Sequence, residues 1–222
     1  MPWHGRASGG LNVLVLHDYW RSGAAYRVRI ALALKGLEYE SVPHDLLSSE
    51  QRSDRYRAIN PQGLVPALDT GSAILTQSMA IIEWLDERYP APALLPADPD
   101  ERAAVRAMAM AVACDIHPLG NLRVLQAIDE LVPGRESLRS EWIGRWVRDG
   151  FAAIEQMLAN TAGLYAFGKQ PSLADCCLVP QAYSAERFGI ALDAWPVLAR
   201  VISTARANPA FAAAHPDRHL PA

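Results

Sequence analysis

The sequence predicts a small α/β domain followed by an all-helical one. Three observations carry that prediction. An aliphatic run is followed at once by a helix-spaced run between Leu11 and Lys35. Proline and glycine then divide the chain into short strands and turns as far as Thr76. Beyond a proline-rich stretch at Pro90 to Pro96, no strand pattern returns.

Leu11 to Leu16 (Leu-Asn-Val-Leu-Val-Leu) is rich in aliphatic and β-branched residues and suits a buried strand. Val28, Ala31 and Leu32 recur at helical spacing, and Gly36 stands where a glycine ends a helix. The strand-to-helix turn between them carries Trp20, Arg21, Ser22 and Gly23. A helix N-terminus presents unpaired N–H groups and a partial positive charge, so a hydroxyl in this turn is well placed to hold an anion.

Leu37 to Val42 alternates and predicts a second strand, and Ser48 to Asn60 is polar and loosely helical. In Asn60-Pro-Gln-Gly-Leu-Val-Pro-Ala-Leu68, two prolines and a glycine exclude an ordinary central strand. Pro66, entering a strand, is a candidate for a cis peptide bond. Ala73 to Thr76 is a short fourth strand after an Asp-Thr-Gly turn, and Thr76-Gln77-Ser78 caps a helix burying Ile81, Ile82, Leu85 and Tyr89. That order is the order of a thioredoxin-like domain, expected over residues 11–90.

Residues 91–98 read as a linker and 99–222 as an all-helical domain. Glu101 to Cys114 is Ala/Met-rich and broken near Pro118. Ser140 to Leu158 carries Trp142, Trp146, Ile154 and Leu158. Ser172-Leu-Ala-Asp175 resembles a capping box opening a helix to about Phe188, with further helices at Trp195 to Ala207 and from Pro209. Residues 1–10 read as a disordered leader without the apolar core of a signal peptide.

Composition narrows the function. With 21 basic against 24 acidic residues the net charge is −3, which gives no basic patch for nucleic acid. Three cysteines, two of them adjacent, give no disulfide framework and point to a reducing, cytoplasmic setting. No apolar run approaches the ~18 residues of a membrane span.

Taken alone, Ser22 reads as a turn or N-cap serine. Two other stretches change its weight. Val65-Pro66 offers a backbone edge able to pair with an extended peptide, and Gln77-Ser78 offers a hydroxyl and helix-start N–H groups to a carboxylate. Together they describe a tripeptide site, with a thiol near Ser22 and Gly23, cysteinyl backbone on Val65 and a terminal carboxylate at Ser78. Glutathione fits that description. Ser22 would donate a hydrogen bond to the thiolate, lowering a pKa that is ordinarily about 8.5.

Ser22-Gly-Ala-Ala-Tyr-Arg-Val-Arg-Ile-Ala-Leu32, Asn60 to Leu68, Gln77-Ser-Met-Ala-Ile-Ile-Glu-Trp-Leu85, Cys114-Asp-Ile-His-Pro118, Asn121-Leu-Arg-Val-Leu125 and Leu173 to Gln181 together resemble the zeta class of glutathione S-transferases, over nearly the whole chain from Leu11. The resemblance implies the two-domain glutathione S-transferase fold, a homodimer, and a site near the domain boundary. It also implies glutathione as cofactor in the cis–trans isomerisation of maleylacetoacetate to fumarylacetoacetate, in aromatic amino-acid breakdown. Maleylpyruvate is the alternative substrate. General glutathione transfer and a non-catalytic glutathione-fold binding protein are the further readings.

A maleyl substrate carries two carboxylates, which arginine can clamp in bidentate fashion. The resemblance assigns substrate binding to Arg21, Arg123 and Arg187, with Arg21 beside the reacting carbon. His117, in Cys-Asp-Ile-His-Pro, reads as a hydrogen-bonded histidine at a helix break or as a lining residue of the substrate pocket; its surroundings lack the spacing of a metal site. Arg27 and Arg29 are expected in ion pairs packing the first helix, Asp175 as a cap, Cys176 and Cys177 as buried small hydrophobes, and Trp142/Trp146 as core or interface. Gly23 and Ala24 depart from the family, where a serine and a cysteine commonly follow the first serine. That loss counts against thiol-dependent reductive dehalogenation and leaves glutathione as the nucleophile.

Overall fold

The computed structural model describes residues 13–221. The expected leader at 1–10, and the opening of the strand expected from Leu11, lie outside the described residues. The chain forms two compact units: one runs to Pro92 and takes the chain up again from Ala210, and the other spans Ala93–Pro209.

In the first unit β1 (Leu14–Asp18) leads into α1 (Gly23–Leu34) and β2 (Tyr39–Pro43). A 3₁₀ turn at Glu50–Arg52 and the single-turn α2 (Asp54–Arg57) follow, then β3 (Ala67–Asp69), β4 (Ile74–Thr76) and α3 (Ser78–Arg88). The sheet order is β2-β1-β3-β4. β2 runs parallel to β1 because the α1 crossover returns the chain to the same edge, whereas β3 and β4 are antiparallel to their neighbours. Leu16 pairs with Leu68, and both are fully buried with Val28, Ile30, Leu32, Ile81, Ile82 and Leu85. This is the mixed sheet with flanking helices of a thioredoxin-like domain.

Both ends of α1 are set by local chemistry. Ser22 caps its start. At its end Gly36 adopts φ 64°, Leu37 N donates to Leu32 O and Gly36 N to Ala33 O, the paired bonds of a Schellman stop. Lys35 is buried there, its ammonium donating to Asp86 Oδ1 at 2.6 Å and to the Tyr89 carbonyl at 2.7 Å, which fastens the end of α1 to the end of α3.

Arg29 ties β1, the turn and the C-terminal stretch together. Its guanidinium donates to both carboxylate oxygens of Asp18 at 2.9 and 2.7 Å, to the Trp20 carbonyl at 2.8 Å and to the Ala214 carbonyl at 3.1 Å. The sequence suggested a helical domain continuing to residue 222. Instead the chain from Ala210 groups with the first unit. The buried Arg29 fork takes an acceptor there, and the His215 ring lies edge-on to Tyr26 at 6.1 Å.

The second unit contains α4 (Pro99–Met110), a π-helical stretch at Ala111–Ile116 and a 3₁₀ turn at His117–Gly120. α5 (Leu122–Leu131), α6 (Leu138–Thr161), α7 (Leu173–Arg187) and α8 (Pro196–Ala207) complete it, before the short α9 (Pro209–Ala213). α7 is the core helix, buried along nearly its whole length, Cys176 and Cys177 included. Ser172 and Asp175 form a capping box, and Asp175 Oδ1 also accepts from Ala166 N at 2.8 Å. Burial pushes the Asp175 carboxyl up to about 6 against the opposing pull of those donors. Trp142 and Trp146 pack edge-to-face at 5.5 Å on α6, and Trp142 Nε1 donates to the Leu119 carbonyl. α8 lacks a cap of its own, and Glu155 of α6 supplies one, accepting from Val197 N and Leu198 N at 2.9 Å each. Among the described residues no helix is long and apolar enough to cross a membrane.

Candidate functional site

Ser22 stands at the N-terminus of α1, extended at φ −68° and ψ 119°. Its Oγ accepts from Ala25 N at 3.3 Å, and its own N–H donates to the Tyr19 carbonyl at 2.8 Å. The cap uses Oγ as an acceptor, so the hydroxyl proton remains available to a group outside the chain. Ser22, Gly23 and Ala24 are all partly exposed. Beside them Arg21 lays its guanidinium over the Trp20 ring, 5.2 Å from the centroid.

The loop before β3 comes to this turn through an aromatic cluster. Tyr19, Tyr56 and Val65 form a small core with Trp20, Leu46 and Ile59 packed against it. The Val65–Pro66 peptide is cis. Tyr56 Oη and Asn60 Nδ2 both donate to the Leu64 carbonyl at 2.7 Å, which pins the loop one residue before Val65. The amide and carbonyl of Val65 carry no backbone hydrogen bond among the described residues. They are the free strand edge that a peptide needs. Gly63 adopts φ 62°, and a Cβ there would meet the Gln51 carbonyl oxygen at 2.9 Å, so the loop takes this path only with glycine.

The start of α3 is the third feature. Gln77 is exposed and held at φ 70°, a conformation that side chains rarely adopt, and its Nε2 donates to Gln62 Oε1 at 2.7 Å. Ser78, the first helical residue, is buried, and its Oγ accepts from Arg27 Nη1 at 3.2 Å. These contacts draw three separated stretches into one constellation. The aromatic cluster joins the Ser22 turn to Val65, the Gln62–Gln77 bond joins the loop to α3, and the Arg27–Ser78 bond joins α3 to α1.

Beneath the cluster lies a pair of histidines that the sequence did not single out. His17 Nδ1 and His44 Nε2 are 2.9 Å apart, and the His44 ring stands edge-on to Tyr56 at 4.5 Å. Burial lowers the pKa of both, more than Asp69 raises His17 or Glu50 raises His44. Burial also pushes the Tyr56 phenol up, so it stays a donor to Leu64.

The remaining residues expected at the site belong to the second unit. Arg123 is exposed in the first turn of α5, its N–H capped by Asn121 Oδ1 at 3.2 Å. Arg187 ends α7, also exposed, with its guanidinium 5.9 Å from the Tyr183 ring and 5.7 Å from Phe188. His117, half-buried, follows the π-helical stretch and opens the 3₁₀ turn. Among the described residues no group of three or more His, Cys, Asp or Glu side chains is placed to hold a metal ion.

Sequence reasoning missed Gln62 and the two histidines, and it gave Arg27 only a packing role on α1. Gln62 had a local signal, since Asn60 Oδ1 accepts from its N–H in an Asx turn. For Arg27 and the histidines no local pattern exists.

Known proteins share this architecture. Residues 16–93 match the family model for the glutathione S-transferase N-terminal domain. The maleylacetoacetate isomerase of Pseudomonas aeruginosa is 53% identical over 204 residues, covering 90% of this chain and 95% of that protein. A holo structure of a maleylpyruvate isomerase, described as a bacterial glutathione S-transferase of the zeta class, superposes with a TM-score of 0.89 at 48% identity, covering 91% of this chain and 96% of that one. A maleylacetoacetate isomerase from Anaeromyxobacter dehalogenans with glutathione in its active site gives 0.84 at 47% identity, covering 93% and 96%.

Proposed function

The chain belongs to the zeta class of glutathione S-transferases, and on that premise we propose that it is a glutathione-dependent cis–trans isomerase converting maleylacetoacetate to fumarylacetoacetate. The observation that carries this reading is the convergence of Ser22, Val65 and Ser78 through the aromatic cluster, the Gln62–Gln77 bond and the Arg27–Ser78 bond. The donors available there fit glutathione: a hydroxyl proton for sulfur, an unpaired backbone edge for the cysteinyl residue, and a helix start for a carboxylate.

Glutathione, when bound, would supply a thiolate able to add to the maleyl double bond, making it a single bond free to rotate, and to be expelled again as the trans double bond re-forms, so that glutathione is regenerated. The role of Ser22 is to hold that sulfur through its hydroxyl proton, with the Gly23 amide and the α1 N-terminus adding positive potential, so that more of it is ionised at neutral pH. Val65 orients the tripeptide by main-chain pairing across the Val65–Pro66 turn. Gln77 and Ser78 receive its amino-acid end. Arg21, held against Trp20, binds a substrate carboxylate next to the reacting carbon. The family resemblance supports substrate binding by Arg123, Arg187 and His117 as well. No side chain of this mechanism is a nucleophile.

Maleylpyruvate is the second reading, favoured by the likeness to the zeta-class holo structure. The family resemblance supports a homodimer working in the cytoplasm, in tyrosine and phenylalanine breakdown. The deciding experiment incubates purified protein with maleylacetoacetate and, separately, maleylpyruvate, with and without glutathione, and follows loss of the cis substrate. Glutathione-dependent turnover of maleylacetoacetate over maleylpyruvate is expected. Turnover of neither, with glutathione still bound, would sink the isomerase reading.

A further inference from the structure

Arg27 is a buried cation on α1, only 3% exposed, and its Nη1 donates to a hydroxyl on another helix, Ser78 Oγ, at 3.2 Å. A guanidinium has donors and no acceptor. The bond can therefore form only by taking a lone pair of Ser78 Oγ, and it leaves the hydroxyl proton to be donated elsewhere. No acceptor for that proton is found among the described residues. Ser78 is also the first residue of an eleven-residue helix, whose first-turn N–H groups and dipole favour an anion. Gln77, held at positive φ and bonded to Gln62, fixes the entry to that helix.

We propose that Arg27 is a positioning residue for the amino-acid carboxylate of glutathione. It holds Ser78 from behind, so that the hydroxyl proton and the first turn of α3 face the incoming carboxylate with a fixed positive charge at their back. The inference rests on the glutathione reading above and adds to it a residue that touches no ligand. Out of solvent, a guanidinium acts more strongly than a surface arginine would, and a tripeptide lacking that carboxylate gains nothing from it.

The test is a binding cycle. Glutathione and γ-aminobutyryl-cysteinylglycine, which lacks only the γ-glutamyl α-carboxylate and keeps the amino group, are titrated against wild type and Arg27→Gln. In wild type, glutathione binds more tightly than the analogue. In Arg27→Gln the glutathione Kd rises about tenfold, the size of one charge-assisted hydrogen bond, while the analogue Kd changes less than about twofold. Equal weakening of both ligands would make Arg27 a purely structural residue and overturn the inference. Wild type binding the two ligands equally would overturn it as well, leaving glutathione use intact, whereas wild type binding no glutathione would overturn the proposed function itself. Should Arg27→Gln fail to fold, Arg27→Lys carries the same cycle. Lysine keeps the charge without the planar fork, so discrimination between the ligands falls part of the way, and discrimination equal to wild type's accompanied by uniform weakening would refute the role.

Discussion

Replacing Arg29 by methionine removes four hydrogen bonds at once and leaves the Asp18 carboxylate, itself 2% exposed, without its cation. Deleting one member of a buried ion pair costs about 3–5 kcal/mol, chiefly because the other charge stays desolvated and unpaired. For a chain of this length about 1 kcal/mol moves the midpoint by about 2–4 °C, so Arg29→Met should lower Tm by roughly 10 °C. The Trp20 carbonyl is released by the same change, and with it the turn carrying Arg21 and Ser22. Turnover should therefore fall even at temperatures where the variant is folded. The assay is urea unfolding followed by tryptophan fluorescence, on Arg29→Met, Asp18→Asn and the double variant. With no charge left to strand, the double variant should recover more than half of the loss expected by adding the two singles. A single Arg29→Met within about 1 kcal/mol of wild type, or strict additivity in the double, would refute the argument.

Ser22→Ala should raise the pKa of the bound glutathione thiol and cost about 1 kcal/mol of stability through the lost cap of α1. An unchanged thiolate absorbance titration would remove Ser22 from its role. Arg21→Ala and Arg187→Ala should each depress dicarboxylate turnover by about tenfold or more while leaving glutathione affinity within about twofold; equal losses in both would mean the arginine serves the fold. The histidine pair predicts acid sensitivity. Burial depresses His17 and His44 in the folded state below the ordinary 6.5, so their contribution is complete above that pH and is lost as pH falls through the depressed values. His44→Gln should shrink the difference in unfolding midpoint between about pH 7.5 and about pH 5.5, and an identical difference in variant and wild type would exclude the pair.

Much of the fold was legible because its signals are local. Ser22 and the Ser172/Asp175 pair cap helices through bonds spanning no more than three residues, so the residue types announce the element. Gly36 stops α1 in the same way, through a conformation glycine adopts without strain. The turn, the Pro66 loop and the α3 start were therefore visible as three separate features.

What joined them was decided by the tertiary structure. Arg27 meets Ser78 across 51 residues, His17 meets His44 across 27, and Arg29 meets Ala214 across 185. Such pairings depend on how α1 and α3 pack and on where the C-terminal stretch returns, and neither follows from spacing along the chain. The same cause moved the residues from Ala210 into the first unit. The sequence by itself determined which groups cap, turn and pair locally. The packed structure determined which buried donors share an acceptor, because a desolvated polar group takes its partner from whatever surrounds it in space.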